Sequence, residues 1–319
     1  MATEFGWNER VATAALDQAR IDGVLYGLPL EIDLIGMYVN RTLMDQEGWE
    51  TPETISELIT FCETASEAGY FPMAFSNNPG WSAFHQFTYV SNNMIGPEAM
   101  EALLFDHEGR WDSPAQVQAI DDFFVKLRDA GCFIDDVNAL GYDDGNSLFY
   151  SGQALLNSTG SWLLSDIEEN MPDYVVEYVP FPAVEGGQGR FWNSGLGSNW
   201  VVSSKSEQQE LAGKFLDFMI SPESARIWAE VGNTALPVTL ETEGLEVSPL
   251  FLSVLDVLNS AAAGDSELGY NIDVLVPAAF NEVMQSGLQA VLSGDKSPAE
   301  QAADMQAAWE ASIAEGAGS

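Results

Sequence analysis

The segment from residue 22 to residue 40, DGVLYGLPLEIDLIGMYVN, constrains the fold of this chain more than any other. It opens on Asp22-Gly23, a turn signal, and a short apolar strand follows. The run from Ile32 to Val39 is almost wholly apolar, which predicts a strand buried on both faces. Glu31 and Asp33 lie beside and within this run, and burying a carboxylate is costly unless it is hydrogen-bonded or paired. Either the segment reaches the surface there, or the two acids face a polar cleft. A strand that leaves one lobe, crosses a cleft and enters another lobe meets both demands.

Strands and helices alternate along the rest of the chain, which indicates an α/β protein. Ser113 and Ser221 each precede a proline and are predicted N-caps, and Thr51 before Pro52 is predicted to cap a helix that reaches Ala68. Ser206 and Gln209 form a predicted capping box before the next apolar helix. The residues from Trp200 to Val202 are predicted to form a buried strand.

Four stretches carry a resemblance to a known family. They are the crossing segment at 22–40, FYSGQALLNSTGSW at 149–162, SGLGSNWVVSSKS at 194–206 and AGKFLDFMISPESARIWAE at 212–230. In this order and spacing they resemble the family 1 extracellular solute-binding proteins, the maltose-binding type of sugar-binding subunit in ABC importers. The resemblance implies a two-lobed periplasmic-binding-protein-like fold of type II. It is specific for the family but not for the solute.

The resemblance also implies how the chain divides between the lobes. We expect an N-terminally shortened chain, a fragment whose first lobe is incomplete, because the strand–helix units that open other members are missing. Val201, Phe215 and Leu236 would then lack part of their cover. The expected parts are a first-lobe remnant at 1–33 and 198–247, a second lobe at 34–193 and 248–315, a return crossing at 194–197 and a disordered tail at 316–319.

The charge of the chain limits its partners and its compartment. The 319 residues include 49 acidic and 11 basic side chains, a formal charge of −38, so nucleic acid and anionic membranes are poor partners. A saline habitat and an ordinary acidic secreted protein are both compatible with this acidity.

The family is exported, so we expect an extracellular or periplasmic monomer, although the chain begins without an export signal. Membrane tethering of the full-length protein stays open. Cys62 and Cys132 are predicted to be separate buried thiols rather than a bridge.

The chemistry of sugars and the resemblance together select the candidate site. A sugar offers hydroxyl groups to carboxylates and amides, and apolar C–H faces to flat aromatic rings. The resemblance assigns a sugar-contacting acid to Asp33 and stacking aromatics to Trp81 and Trp162. Gly195 and Gly197 are expected to let a ligand approach the backbone. The other candidates are Glu31, His85, Asn157, Ser161, Trp192, Asn193, Tyr270, Asn271 and Asp273.

The sequence therefore favours a binding protein and not an enzyme. It is expected to capture a neutral mono- or oligosaccharide, to close about its hinge and to dock on the permease subunits of an ABC importer, with no cofactor. A glycoside hydrolase with paired carboxylates and an interaction lobe that binds no solute remain as alternatives. The segment from Asp143 to Asn146 resembles a calcium loop but lacks its alternating acids and distal glutamate, so we interpret it as a turn and predict no metal site.

Overall fold

The computed structural model describes residues 1–21, 23–78, 80–238, 240 and 244–316. Two predictions fall outside these ranges, namely Asp22 of the predicted turn and residues 317–319 of the predicted tail. The strands are β1 (Arg20–Ile21), β2 (Val24–Leu25), β3 (Leu28–Pro29), β4 (Ile32–Asn40), β5 (Phe71–Ala74), β6 (Ala154–Gly160), β7 (Val176–Val179), β8 (Trp192–Leu196), β9 (Asn199–Trp200) and β10 (Leu268–Tyr270).

The α-helices are α1 (Trp7–Arg10), α2 (Thr13–Gln18), α3 (Arg41–Glu47), α4 (Ile55–Glu67), α5 (Ser82–Ile95), α6 (Pro97–Glu101), α7 (Pro114–Ile120), α8 (Tyr142–Tyr150), α9 (Leu164–Asn170), α10 (Gln209–Met219), α11 (Pro222–Gly232), α12 (Pro249–Ala263), α13 (Ala278–Leu292) and α14 (Pro298–Ala314). Two π-helical segments, Ala102–Asp106 and Asp121–Leu127, continue α6 and α7, and a 3-10 turn at Ser161–Leu163 leads into α9. This mixture of helices and sheets confirms the predicted α/β class.

A six-stranded sheet is organised around β4. The strand order is β10-β8-β4-β6-β5, and β7 also pairs with β4. Strand β4 runs antiparallel to β6, β7 and β8, while β5 is parallel to β6 and β10 is parallel to β8. Every residue of β4 after Ile32 is buried, which confirms that the apolar run forms a strand covered on both faces.

Two extended segments run side by side out of this sheet. Where β4 begins, Asp33 pairs with Gly195 of β8 in antiparallel register. Beyond that point the Leu30 amide donates to the Ser198 carbonyl at 2.9 Å, and β3 pairs with β9 in a second, two-stranded sheet. The residues around 31 and 197 therefore form a paired connection between the two sheets.

Three apolar cores hold these parts together. The largest covers one face of the main sheet and includes side chains of α4, α5, α13 and α14, such as Leu58, Phe87, Leu288 and Trp309. The opposite face packs against α8, α9 and α12. The smallest core surrounds β3 and includes Trp7, Leu16 and Leu28 with residues of α10. Burial of apolar area in these cores is the main favourable contribution to folding.

A disulfide joins Cys62 of α4 to Cys132, with Cα atoms 4.9 Å apart. The prediction of two separate thiols is therefore wrong. The two cysteines are 70 residues apart in the sequence, and no local pattern shows that α4 packs beside the segment after Leu127. A disulfide suits an oxidising compartment and agrees with the expected export.

Helix starts follow the predictions only in part. Ser113 and Ser221 accept hydrogen bonds from the backbone three residues on, which confirms both N-caps. Helix α4 is capped by Thr54, so the prediction of Thr51 as the cap is wrong. Helix α10 begins without a side-chain cap, so the capping box predicted at Ser206 is absent. Serines and threonines lie close together before these two helices, and the tertiary contacts decide which residue starts the helix.

Several apolar side chains between residues 198 and 247 remain in contact with solvent. The predicted buried strand at Trp200 is cut to two residues, and Val201 is 69% exposed. Phe215 and Val231 are 56% and 77% exposed, whereas Leu236, which was expected to lack cover, is buried. The prediction of a buried strand from 200 to 202 is thus wrong, because β9 ends at Trp200, which is only half-buried, and Val201 and Val202 lie outside the strand.

Candidate ligand-binding site

A cavity of about 220 Å³ opens at the paired connection between the two sheets. Six of the predicted site residues line it, namely Glu31, Asp33, His85, Trp162, Asn271 and Asp273. A larger cavity of about 330 Å³ lies between α1, β3 and α10, but no carboxylate, histidine or basic side chain lines it. Of these two cavities, the smaller one carries the titratable side chains, and because it also gathers six predicted site residues we take it as the candidate site.

Asp33 is the most deeply buried acid of the cavity. Its side chain is 9% exposed, and its Oδ1 accepts a hydrogen bond from the Ser161 hydroxyl at 3.1 Å. The same hydroxyl accepts from the Leu34 amide at 3.1 Å, so Ser161 is held on both sides. Burial and, to a smaller degree, the charge of Glu31 raise the pKa of Asp33 to about 7, against the opposing effect of the Ser161 hydrogen bond. Asp33 therefore changes its charge near neutral pH.

Gly195 and Gly197 make room for the side chains of the site. A Cβ atom on Gly197 would lie 2.2 Å from Asp33 Oδ2 and 2.5 Å from Glu31 Oε1. A Cβ atom on Gly195 would lie 2.7 Å from the Cβ of Asn271. Both glycines line the cavity and also leave the space that the protein's own acids and amide occupy, and ligand approach to their backbone stays a prediction.

His85 and Asp273 form the second polar pair of the cavity. The His85 Nε2 and Asp273 Oδ1 atoms are 3.9 Å apart, longer than a hydrogen bond. Burial lowers the pKa of His85, and the nearby Asp273 opposes that effect, so the imidazole is neutral at pH 7. Asp273 Oδ1 is buried and has no hydrogen-bond partner among the described residues. A buried acceptor without a donor is costly, which makes this atom a candidate contact for a ligand.

Trp162 forms an aromatic wall of the cavity that also contains Asp33 and Asp273. Trp162 is 36% exposed, and its ring centroid lies 5.1 Å from that of His85 and 6.4 Å from that of Trp81. Its Nε1 donates to the hydroxyl of Tyr142 at 2.9 Å, and the Tyr142 ring packs on Trp81 with centroids 4.7 Å apart. The indole is therefore held at its far edge while part of its surface stays accessible.

Tyr142, which holds Trp162 in place from outside the cavity, was missed by the sequence analysis. It is the first residue of α8, and the interpretation of Asp143 to Asn146 as a turn is wrong because these residues form the first turns of that helix. The available signal was Asp143 and Asp144 in succession, since acidic residues favour the first turn of a helix. Among the described residues, no group of three His, Cys, Asp or Glu side chains is placed to hold a metal ion.

The structure places four other predicted residues away from the cavity. The Trp192 ring packs on Tyr178, with centroids 5.0 Å apart. Asn193 is fully buried, and its amide donates to the Phe191 carbonyl at 3.3 Å. Tyr270 packs against Phe105 instead. Asn157 donates to Asn146 and lines a small adjoining recess together with Trp81 and His85. Strand register turns the Trp192 side chain to the face of the sheet opposite Asp33, whereas Asn193 shares the face of Asp33 but lies farther along the sheet, opposite Ile35.

Comparison with known proteins gives a consistent result. The model of a family described as bacterial extracellular solute-binding protein matches residues 4–244. A multiple sugar-binding protein of Streptococcus mutans is 23% identical over 225 residues, which cover 70% of this chain and 53% of that protein. The sn-glycerol-3-phosphate-binding periplasmic protein of Salmonella typhimurium is 25% identical over 229 residues, covering 68% and 50%. The chain thus spans about half the length of these curated relatives.

Solved structures share the fold. A chitin oligosaccharide binding protein superposes with a TM-score of 0.85 at 20% identity, covering 98% of this chain and 77% of that one. A solute-binding protein in complex with raffinose superposes with a TM-score of 0.72 at 18% identity, covering 96% and 78%. These similarities confirm the fold of the two-lobed periplasmic solute-binding proteins. Within the described ranges, no helix is long and apolar enough to cross a membrane. Because the family model matches most of its length, this chain belongs to the bacterial extracellular solute-binding proteins.

Proposed function

We propose that the protein is the solute-binding component of a carbohydrate ABC importer and that it holds a sugar between Asp33 and Trp162. One observation carries this proposal: a buried carboxylate and an accessible indole share a single cavity of about 220 Å³. The carboxylate can accept hydrogen bonds from sugar hydroxyls, and the indole can pack against a C–H face. The Asp33 carboxylate and the Trp162 indole are therefore complementary to the hydroxyl groups and the C–H faces of a sugar ring.

The relatives support the same class of ligand. The names of the Streptococcus mutans protein and of the two solved structures refer to multiple sugars, chitin oligosaccharide and raffinose. Members of this family are binding proteins rather than enzymes, so we assign no reaction to the site. The function that we propose for the site is selective binding of a sugar.

The charge of the cavity restricts the solute. Glu31, Asp33 and Asp273 contribute carboxylates, and neither lysine nor arginine lines the cavity in the described part of the chain. A phosphorylated ligand such as sn-glycerol 3-phosphate would meet repulsion there. We therefore propose a sugar without negative charge.

Capture would be coupled to a movement of two lobes. We propose that residues 1–33 and 198–247 belong to one lobe, that 34–193 and 248–315 belong to the other, and that the paired segments near 31 and 197 connect them. A solute that contacts both sides would favour the closed form, because it binds that form more tightly. The closed monomer would then dock on the membrane permease from outside the cell.

Calorimetric titration with a panel of mono- and oligosaccharides tests the proposal. We expect saturable binding of at least one sugar, and its loss in Asp33→Asn and in Trp162→Ala. Asp256→Asn, which makes the same change of charge on the exposed face of α12, should bind like the parent protein. Absence of binding across the panel would contradict the carbohydrate proposal, and unchanged binding in both site variants would contradict the location.

A further inference from the structure

The walls of the cavity are rich in hydrogen-bond acceptors and poor in free donors. Glu31, Asp33 and Asp273 carry carboxylates, which only accept hydrogen bonds when ionised. Two donors beside them are already committed, because Ser161 donates to Asp33 and the Trp162 indole donates away from the cavity to Tyr142. The amide of Asn271 and the neutral imidazole of His85 remain.

Two of the acceptors have no donor of their own. Asp33 is only 9% exposed, and no described residue donates a hydrogen bond to its Oδ2 atom. This atom and Glu31 Oε1 lie 2.2 Å and 2.5 Å from the position that a Cβ on Gly197 would take, so the two carboxyl groups are close together and repel each other when both are ionised. Asp273 Oδ1 is likewise buried without a partner among the described residues. Each of these atoms calls for a donor that the ligand must bring.

A neutral hydroxyl group of a sugar matches these unpaired acceptors poorly. It has one hydrogen to donate and two lone pairs that require donors, whereas an ammonium group has three donors, no acceptor and a positive charge. An ammonium group between Glu31 and Asp33 would also offset their mutual repulsion, and the face of Trp162 attracts a cation. The titratable groups that surround the pair are His85 on α5, whose imidazole is neutral at pH 7, and Asp273 after β10, so neither of them supplies a positive charge.

We infer that the solute is an amino sugar whose ammonium group sits between the carboxylates of Glu31 and Asp33. The inference rests on the proposed sugar-binding function of the same cavity and narrows its ligand class. The cavity of about 220 Å³ is smaller than the roughly 300–1,000 Å³ of most small-molecule sites, which suits a ligand group as small as one sugar ring.

Calorimetry at pH 7 with matched sugars tests this inference. The ligands are D-glucose, D-galactose and D-mannose, each compared with its 2-amino and its 2-acetamido derivative. We expect at least one amino sugar to bind at least tenfold more tightly than both of its uncharged counterparts, because charge-assisted hydrogen bonds are the stronger ones. If the uncharged sugars bind as tightly as the amino sugars, or if no amino sugar binds, the inference is wrong. Binding of neutral sugars alone would leave the proposed function standing, and silence of all nine would overturn the inference, whereas the proposed function falls only if the oligosaccharides fail to bind as well.

A variant separates the charge from the shape of the site. Glu31→Gln keeps the size of the side chain and its carbonyl acceptor but removes the negative charge. We expect it to weaken binding of the amino sugar at least tenfold while changing that of the parent hexose less than twofold. Glu67→Gln makes the same charge change on an exposed position of α4 and should retain the preference. Retention of the preference in folded Glu31→Gln would overturn the inference.

Discussion

The hydroxyl of Ser161 donates to the carboxylate of Asp33 at 3.1 Å across 128 residues of sequence. The contact exists because β4 and β6 pair, with Ile35 opposite Gly160, so the 3-10 turn after β6 begins beside the first residues of β4. The next residue of that turn, Trp162, forms the aromatic wall. One turn thus orients the acid and supplies the ring that faces it.

Loss of the Ser161 hydroxyl should affect Asp33 directly. In Ser161→Ala the carboxylate loses a hydrogen bond that favours its ionised form, so we expect its pKa to rise further and sugar binding at pH 7 to weaken about tenfold. Carboxyl NMR signals followed against pH, together with calorimetry, check both effects. Ser253→Ala, on the exposed face of α12, should change neither; an unshifted Asp33 in Ser161→Ala would contradict the prediction.

Stability should fall as the pH rises from about 4 to about 7. The pKa of Asp33 is raised from 3.8 to about 7 in the folded protein, so the folded state holds a proton that the unfolded state has released over that window. Ionisation of Asp33 therefore destabilises the folded state. The free energy of unfolding is lower by roughly 4 kcal/mol once Asp33 is ionised in both states. Below pH 4 both states are protonated and this loss is absent.

The Asp33→Asn variant isolates this effect. Its amide cannot ionise, so we expect it to be more stable than the parent protein at pH 8 and to lose the Asp33 component of the pH dependence. Denaturant unfolding at pH 5, 6, 7 and 8 measures the difference. Parallel pH profiles for the variant and the parent would show that Asp33 is ionised at all of these pH values and would contradict its raised pKa.

A methyl group on Gly197 should disrupt the site. It would lie 2.2 Å from Asp33 Oδ2 and 2.5 Å from Glu31 Oε1, far inside contact distance, so both carboxylates must move. We expect Gly197→Ala to weaken sugar binding by about a hundredfold, measured by calorimetry, since the ligand contacts depend on positioning. Gly232→Ala, whose added methyl group approaches no atom more closely than 3.3 Å, serves as the control. Unaltered affinity in Gly197→Ala would show that the acids do not contact the ligand.

Removal of the disulfide should lower stability without affecting binding. The bond closes a loop of 70 residues, and in the chain-entropy model a loop of that length contributes about 4 kcal/mol. We expect the double variant Cys62→Ala and Cys132→Ala to unfold at a lower denaturant concentration by about this amount. Its sugar affinity should remain within twofold, because both cysteines belong to the apolar core under α4 and not to the cavity. A reductant should have the same effect on the parent protein and none on the variant.

The sequence by itself determined the features that depend on local patterns. The apolar run from Ile32 to Val39 specified a buried strand, because no partly exposed strand tolerates so few polar residues. The N-caps at Ser113 and Ser221 followed from a hydroxyl placed directly before a proline, since the capping bond spans only three residues. The order of four stretches was enough to indicate the family, and Asp33 and Trp162 were singled out on that basis.

The tertiary structure alone decided which distant residues meet. Glu31, Trp162 and Asp273 reach one cavity only because strand register and helix packing bring three segments of the chain together. The same register turns Trp192 away, and helix packing places Cys62 beside Cys132. Such contacts leave no local signal, because the direction of a side chain and its neighbours through space depend on the pairing of strands and not on the residues beside it in the sequence.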